Sequence, residues 1–98
     1  MLSTLEKISL PESLKFIGKF AFEECSGLQE VILPPNVQEI GEFAFKGYEN
    51  LKQINITPKV EKIKKYTFSY CSNLEKVIPE NKSVEIDETA FKGCDKLR

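Results

Sequence analysis

The sequence predicts a repeat solenoid of short β-strands, and three observations carry that prediction. Leu5, Leu28, Leu51, Leu74 and Leu97 recur at a constant spacing of twenty-three residues. Within each interval the same succession of aliphatic, Pro, Gly, Ala-Phe and Cys positions returns in phase. No single interval can bury its own apolar residues, whereas stacked copies cover one another. Periods of roughly 20 to 50 residues mark solenoids and arrays, and 98 residues make four such intervals and six residues more. The expected coils are 5–27, 28–50, 51–73 and 74–96, a single solenoid segment over 1–98 that reads as part of a longer array.

Each position has a physical reading. Three residues after the first four leucines stand Ile8, Val31, Ile54 and Val77, followed two places on by Leu10, Leu33, Ile56 and, as the exception, Pro79. Residues two apart point to one face of a strand, so these pairs face inward. Pro11 and Pro34 follow at once and Pro58 one place later, which ends the strand because proline cannot donate to a ladder. Leu14, Val37 and Val60, with Val84 one place out of step, and then Ile17, Ile40, Ile63 and Ile86, suit a second short extended segment or a tight bend. Gly18 and Gly41 come next and predict a sharp turn at positive φ. Asp87 tolerates that conformation and Lys64 does not, so the third turn is either distorted or needs no positive φ. Ala21-Phe22, Ala44-Phe45, Thr67-Phe68 and Ala90-Phe91 precede the last column, Cys25, Tyr48, Cys71 and Cys94. That spacing puts Phe and Cys on one side of a single helical turn. At a strand separation of about 4.8 Å, four coils make a slab roughly 20 Å long.

Composition removes several function classes. The chain has no His, which excludes Cys–His and Ser–His catalysis and every His-containing metal site. Fourteen Lys and Arg against fifteen Asp and Glu give a net charge of −1, with no global pull toward nucleic acid or an acidic membrane. No apolar run approaches the roughly 20 residues of a membrane helix, and residues 1–7 do not resemble a signal peptide. No cofactor is expected.

The run from Leu28 through Val31, Leu33-Pro34, Val37, Ile40-Gly41 and Ala44-Phe45 to Tyr48 resembles the BspA-like leucine-rich repeat, over essentially the whole chain. The resemblance implies a right-handed leucine-rich-repeat solenoid. It also implies a non-enzymatic surface or secreted protein that acts as an adhesin or scaffold toward host or matrix proteins. Tyr48 in the Cys column, Lys64 and Asp87 in the Gly column, Thr57 at the proline place and the slipped stretch from Pro79 to Val84 depart from the pattern. They predict local irregularity, mostly in the second half.

Candidate sites are few. Cys71 and Cys94 fall one coil apart, within reach of a disulfide, but side chains in a buried ladder pack more readily than they bridge. Buried thiols are therefore expected there and at Cys25. Without His or a CxxC pair no metal site is expected. Glu6, Glu30, Glu39, Glu42, Glu61, Glu75 and Glu85 lie between the apolar columns and read as solvated edges rather than a catalytic pair. The basic stretch from Lys59 to Tyr66 is interrupted by Glu61 and reads as a wet face, not a nucleic-acid site. Asn55-Ile56-Thr57 and Asn81-Lys82-Ser83 match the N-glycosylation pattern, the first weakened by Pro58.

The outward strand positions are the leading functional candidates. One row is Lys7, Glu30, Gln53 and Lys76, and a second is Ser9, Ile32, Asn55 and Ile78. Rigid rows of this kind suit a protein ligand. Ile32 and Ile78, apolar where solvent is expected, suit protein contact, although isoleucine is also a good strand former. At the ends, Leu2 occupies the Cys column of an absent coil and Leu97 opens a fifth. Uncapped ends at Leu2, Leu5 and Leu97 predict either a segment of a longer protein or end-to-end self-association.

Overall fold

The computed structural model describes residues 7–8, 10–23 and 27–97, the first two by their backbone. Each coil contributes two short strands and a turn. The strands are β1 (Lys7–Ile8), β2 (Phe16–Ile17), β3 (Glu30–Val31), β4 (Glu39–Ile40), β5 (Gln53–Ile56), β6 (Lys62–Ile63), β7 (Lys76–Pro79) and β8 (Glu85–Ile86). All pairings are parallel, and each residue faces its equivalent one coil on: Lys7 opposite Glu30, Phe16 opposite Glu39, Gln53 opposite Lys76, Lys62 opposite Glu85. The molecule measures 30 × 29 × 20 Å, and its shortest dimension equals four coils at strand spacing.

The predicted inward columns are the core. Along β5, Gln53 and Asn55 are exposed while Ile54 and Ile56 are buried. Leu28, Leu51 and Leu74 and, behind them, Ile40 and Ile63 have no solvent exposure. The phenylalanines of the Ala-Phe column form an internal stack, with Phe22–Phe45, Phe45–Phe68 and Phe68–Phe91 centroids 5.7, 5.4 and 5.5 Å apart and nearly parallel. Tyr48 meets Phe45 edge-on at 5.4 Å, which explains how a ring fits a column otherwise held by Cys.

Two local expectations are corrected. No helix occurs among the described residues; the Ala-Phe-x-x-Cys stretch is a run of tight turns. Its amides alternate. Ala44 and Lys46 donate back within their own coil, to the carbonyls of Gly41 and Phe43, while Phe43, Phe45 and Gly47 donate to Lys65, Thr67 and Ser69 of the next coil. A helical turn would keep all these bonds local; stacking uses every second one to join coils. Nor does Gly18 or Gly41 take positive φ. That conformation falls two residues later, on Phe20 (62°), Phe43 (62°) and Tyr66 (59°). Each of these rings stacks on its neighbour, Phe20–Phe43 at 4.7 Å and Phe43–Tyr66 at 5.0 Å. Stacking offsets the backbone cost of about 1–2 kcal/mol per left-handed residue. Gly41 is needed for closeness instead: a Cβ there would lie 2.4 Å from the backbone nitrogen of Lys19.

Backbone ladders join coil 1 to coil 2 and coil 3 to coil 4 on both strand faces, but none joins β3 to β5 or β4 to β6 among the described residues. Across that middle seam the backbone bonds lie on the turn face, where Phe45 N donates to Thr67 O at 2.9 Å and Gly47 N to Ser69 O at 2.9 Å. Side chains complete it. Lys59 Nζ donates to Asn36 Oδ1 at 2.9 Å, Thr67 Oγ1 to Gly41 O at 3.3 Å and Asn73 Nδ2 to Glu49 O at 2.8 Å. Lys64 carries a Cβ where Gly41 has none, yet Asp87 keeps its bond to Ile63 O at 2.9 Å, so a side chain in this column does not by itself open the seam.

Candidate protein-interaction face

Of the eight strand-face positions singled out by the repeat, Glu30, Ile32, Gln53, Asn55, Lys76 and Ile78 are exposed. Lys7 is placed in β1 by its backbone, and Ser9 lies outside the described residues. Register sets Lys7 beside Glu30, Gln53 beside Lys76 and Asn55 beside Ile78. Ile32 retains 55% of its surface between the buried Val31 and Leu33, and Ile78 retains 41% between the half-buried Val77 and the exposed Pro79. Alternation along the strand pushes Ile32 out, whereas in β7 only Val77 is partly covered and the rest of the strand is exposed. The face is not one continuous ladder, however. Where β3 and β5 run side by side without pairing, a groove of about 380 Å³ opens, lined by Glu30, Ile32, Gln53, Asn55, Thr57 and Glu80.

Thr57 and Glu80 belong to this face although the columns did not nominate them. They follow Ile56 and Pro79, which pair in register, and Glu80 N donates to Ile56 O at 2.8 Å. Thr57 is 5% exposed, and its buried hydroxyl oxygen has no hydrogen-bond partner among the described residues. The available signal was polarity in a column that holds Pro34 in the preceding coil.

The second strand face is different in character. An opening of about 660 Å³ there meets both Lys59, Lys62 and Lys64 and Glu39 and Glu61. Lys64 is tied to Glu39 at 2.9 Å, so the basic stretch offers no uniform field for a polyanion. The carboxylates singled out by sequence are spread over the coil edges; Glu30, Glu39, Glu61, Glu75 and Glu85 are exposed and Glu42 half-buried, and Glu6 lies outside the described residues. Exposed aromatic residues missed by the column reading, Phe16, Phe20 and Tyr70, lie on the second strand face and the turn face. Lys19 and Lys46 lie 5.7 Å over the Phe20 and Phe43 rings, and Lys92 lies 6.0 Å over Tyr66. Asn55 is exposed, whereas Asn81 is engaged, donating to Val60 O at 3.2 Å and accepting from Ser83 N at 2.9 Å.

Cys71 and Cys94 are free thiols, buried in successive coils. Each sulfur donates to the backbone of the coil before it, Cys71 to Phe45 O at 3.4 Å and Cys94 to Phe68 O at 3.1 Å. The adjacent Cys94 sulfur, and then burial, push the Cys71 thiol well above its ordinary range. Cys25 lies outside the described residues. No group of three potential metal ligands gathers among the described residues, and no helix is long and apolar enough to cross a membrane. Leu2 and Leu5 are likewise outside the described residues, while Leu97 is half-buried beside an opening of about 750 Å³ lined also by Lys76, Val77 and Asp95.

Comparison with known proteins agrees with this geometry. A family model described as "BspA type Leucine rich repeat region (6 copies)" matches residues 1–98. The chain is similar to the crystal structure of a leucine-rich repeat protein from T. pallidum, with a TM-score of 0.87 and 33% identity over 96% of the chain. It spans 44% of the length of that protein. The curated proteins give no match.

Proposed function

We propose, from the premise that this chain belongs to the BspA-type leucine-rich-repeat family, that it is a non-enzymatic module whose first strand face binds a protein ligand. Stacked coils hold Glu30, Ile32, Gln53, Asn55, Lys76 and Ile78 as a preorganised array, so little order is lost on binding, and the repeat adds Lys7 and Ser9 to the proposed face. The observation that carries the reading is the 55% and 41% exposure of Ile32 and Ile78 at outward positions ringed by polar residues. Apolar side chains held in this way form the buried centre of an interface, with the polar ones as its rim. Host or matrix proteins at a cell surface are the ligands the family resemblance suggests. Surface plasmon resonance against a panel of purified matrix proteins tests this. Binding that is lost in the Ile32→Lys, Ile78→Lys double variant supports it; no binder, or binding unchanged in the variant, overturns it.

A second reading is self-association through the face of coil 4. Ile86 is 50% exposed although its column mates Ile17, Ile40 and Ile63 are 4%, 0% and 0% exposed, and Val77, Val84, Phe91 and Leu97 are only partly covered. Leu2 and Leu5 would form the complementary face. Light scattering of residues 1–98 over a concentration series distinguishes the readings, since a monomer throughout excludes the second.

A further inference from the structure

Cys71 and Cys94, two buried thiols that the strand-face reading leaves unused, stand in successive coils. We infer that they form a redox-sensitive clasp: a small-molecule disulfide of the glutathione class oxidises them to a Cys71–Cys94 bond that locks coil 4 onto coil 3.

The two positions are built alike and lie against each other. Cys71 N donates to Phe68 O and Leu74 N to Cys71 O, at 3.3 and 3.0 Å. Cys94 N donates to Phe91 O and Leu97 N to Cys94 O, at 3.0 and 3.1 Å. Just before the cysteines, main-chain bonds from Phe68 N to Ala90 O and from Tyr70 N to Lys92 O join the coils, and the Phe68 and Phe91 rings stack at 5.5 Å. A disulfide takes Cα atoms about 4.4–6.8 Å apart, which adjacent coils supply. Orientation agrees. The Cys94 thiol points back into coil 3, where it and the Cys71 amide share one acceptor, the Phe68 carbonyl, at 3.1 and 3.3 Å. Bridging gives up both weak thiol hydrogen bonds and turns the Cys71 sulfur away from Phe45 O, 3.4 Å distant, toward coil 4.

Access sets the order of events. Cys94 is 9% exposed and Cys71 has no solvent exposure, so the oxidant enters at Cys94. Contact with the Cys71 side chain holds the Cys94 thiol below its ordinary value, which makes it the readier thiolate. Cys94 attacks one sulfur of the small disulfide, forming a mixed disulfide and expelling one thiolate. Cys71 then passes its proton to that thiolate and attacks the Cys94 sulfur, expelling the second. Two protein thiols become one disulfide and the small disulfide becomes two thiols, with two electrons and two protons transferred.

Coil 4 is where such a bond has an effect. Ile86 is half exposed there, and Val77, Val84 and Phe91 are only partly covered, so this coil opens readily. A bridge from Cys71 to Cys94 closes one full repeat of twenty-three residues and restricts the opened coil.

The test treats the folded Cys25→Ala chain with oxidised glutathione at mildly alkaline pH. The expected product has lost two hydrogens by intact mass, gives a Cys71–Cys94 cross-linked fragment in a non-reducing digest, and returns to thiols with dithiothreitol. With Cys71→Ala, or Cys71→Val should circular dichroism show the first to be unfolded, the reaction should stop at one glutathione on Cys94. With Cys94→Ala, Cys71 should stay unmodified. Amide hydrogen exchange over residues 76–94 should slow about tenfold on oxidation and recover on reduction. Bridging only in denaturant, a mixed disulfide that persists at Cys94 beside an intact Cys71, modification of Cys71 without Cys94, or a bridged chain with unchanged exchange in coil 4 overturns the inference.

Discussion

Gly41 lies against Lys19 so closely that a Cβ would meet the Lys19 backbone nitrogen at 2.4 Å and its Cα at 2.8 Å. The obstacle is main chain, which cannot swing aside. Gly41→Ala should therefore destabilise the fold by about 1–3 kcal/mol, as overpacking does. Gly18, in the same column, has nothing among the described residues within 4 Å of the same position. Gly18→Ala should be neutral or stabilise by up to about 1 kcal/mol, by reducing the freedom of the unfolded chain. Urea unfolding of the two variants, followed by circular dichroism, checks the contrast; similar losses in both would contradict it.

Phe45 is fully buried and touches three rings, Phe22 and Phe68 in the stack and Tyr48 edge-on. Phe45→Ala should cost about 3–5 kcal/mol. Phe22→Ala, at a half-buried position, should cost clearly less. Denaturation midpoints measured under one condition rank the two.

The buried Cys71 thiol should resist alkylation. In native protein at mildly alkaline pH, iodoacetamide should label it at least about a hundredfold more slowly than in denaturant, as read by site-resolved mass spectrometry. The sign for stability follows from the raised thiol pKa. The folded state keeps the proton longer, so this contribution is complete below about pH 8.5 and declines as pH rises beyond it. Cys71→Ala should flatten that alkaline decline.

Asp87 shows the opposite linkage. Its carboxylate accepts from Thr89 Oγ1 at 2.6 Å and Thr89 N at 2.8 Å, and these bonds, with Lys65 and Lys62 nearby, hold its pKa below the usual carboxylate value. Its contribution is present above about pH 4 and is lost as pH falls through the depressed value. A carboxyl-carbon NMR titration should give a midpoint below that of an unstructured Asp, moving upward in Thr89→Ala.

The inward columns were legible because period two within a strand and period twenty-three between coils both act on Leu28, Val31 and Leu33. Burial imposed the pattern, so the pattern reported burial. Left-handed backbone was assigned to Gly18 and Gly41 and belongs to Phe20, Phe43 and Tyr66. A favourable ring stack can hold a non-glycine residue there, and that energy is visible only once the coils are superposed. The exposure of Ile32 followed from alternation, but the groove beside it did not. Its origin is a missing ladder between coils whose own columns are nearly regular, and Thr57 then appeared only as a departure from proline.

The alternating amides of the turn face have a mechanical consequence. At the middle seam Phe43, Phe45 and Gly47 bind the next coil while the strands opposite do not, and the Phe22–Phe91 stack runs unbroken beside them. Among the described residues, main-chain bonding between the two pairs of coils is thus confined to one edge, although a single core runs through all four. On the strand side the same seam is held by the ion pair of Lys64 with Glu39 at 2.9 Å and the bond of Lys59 to Asn36 at 2.9 Å, so its cohesion there rests on long side chains and buried aliphatics rather than on main-chain bonds.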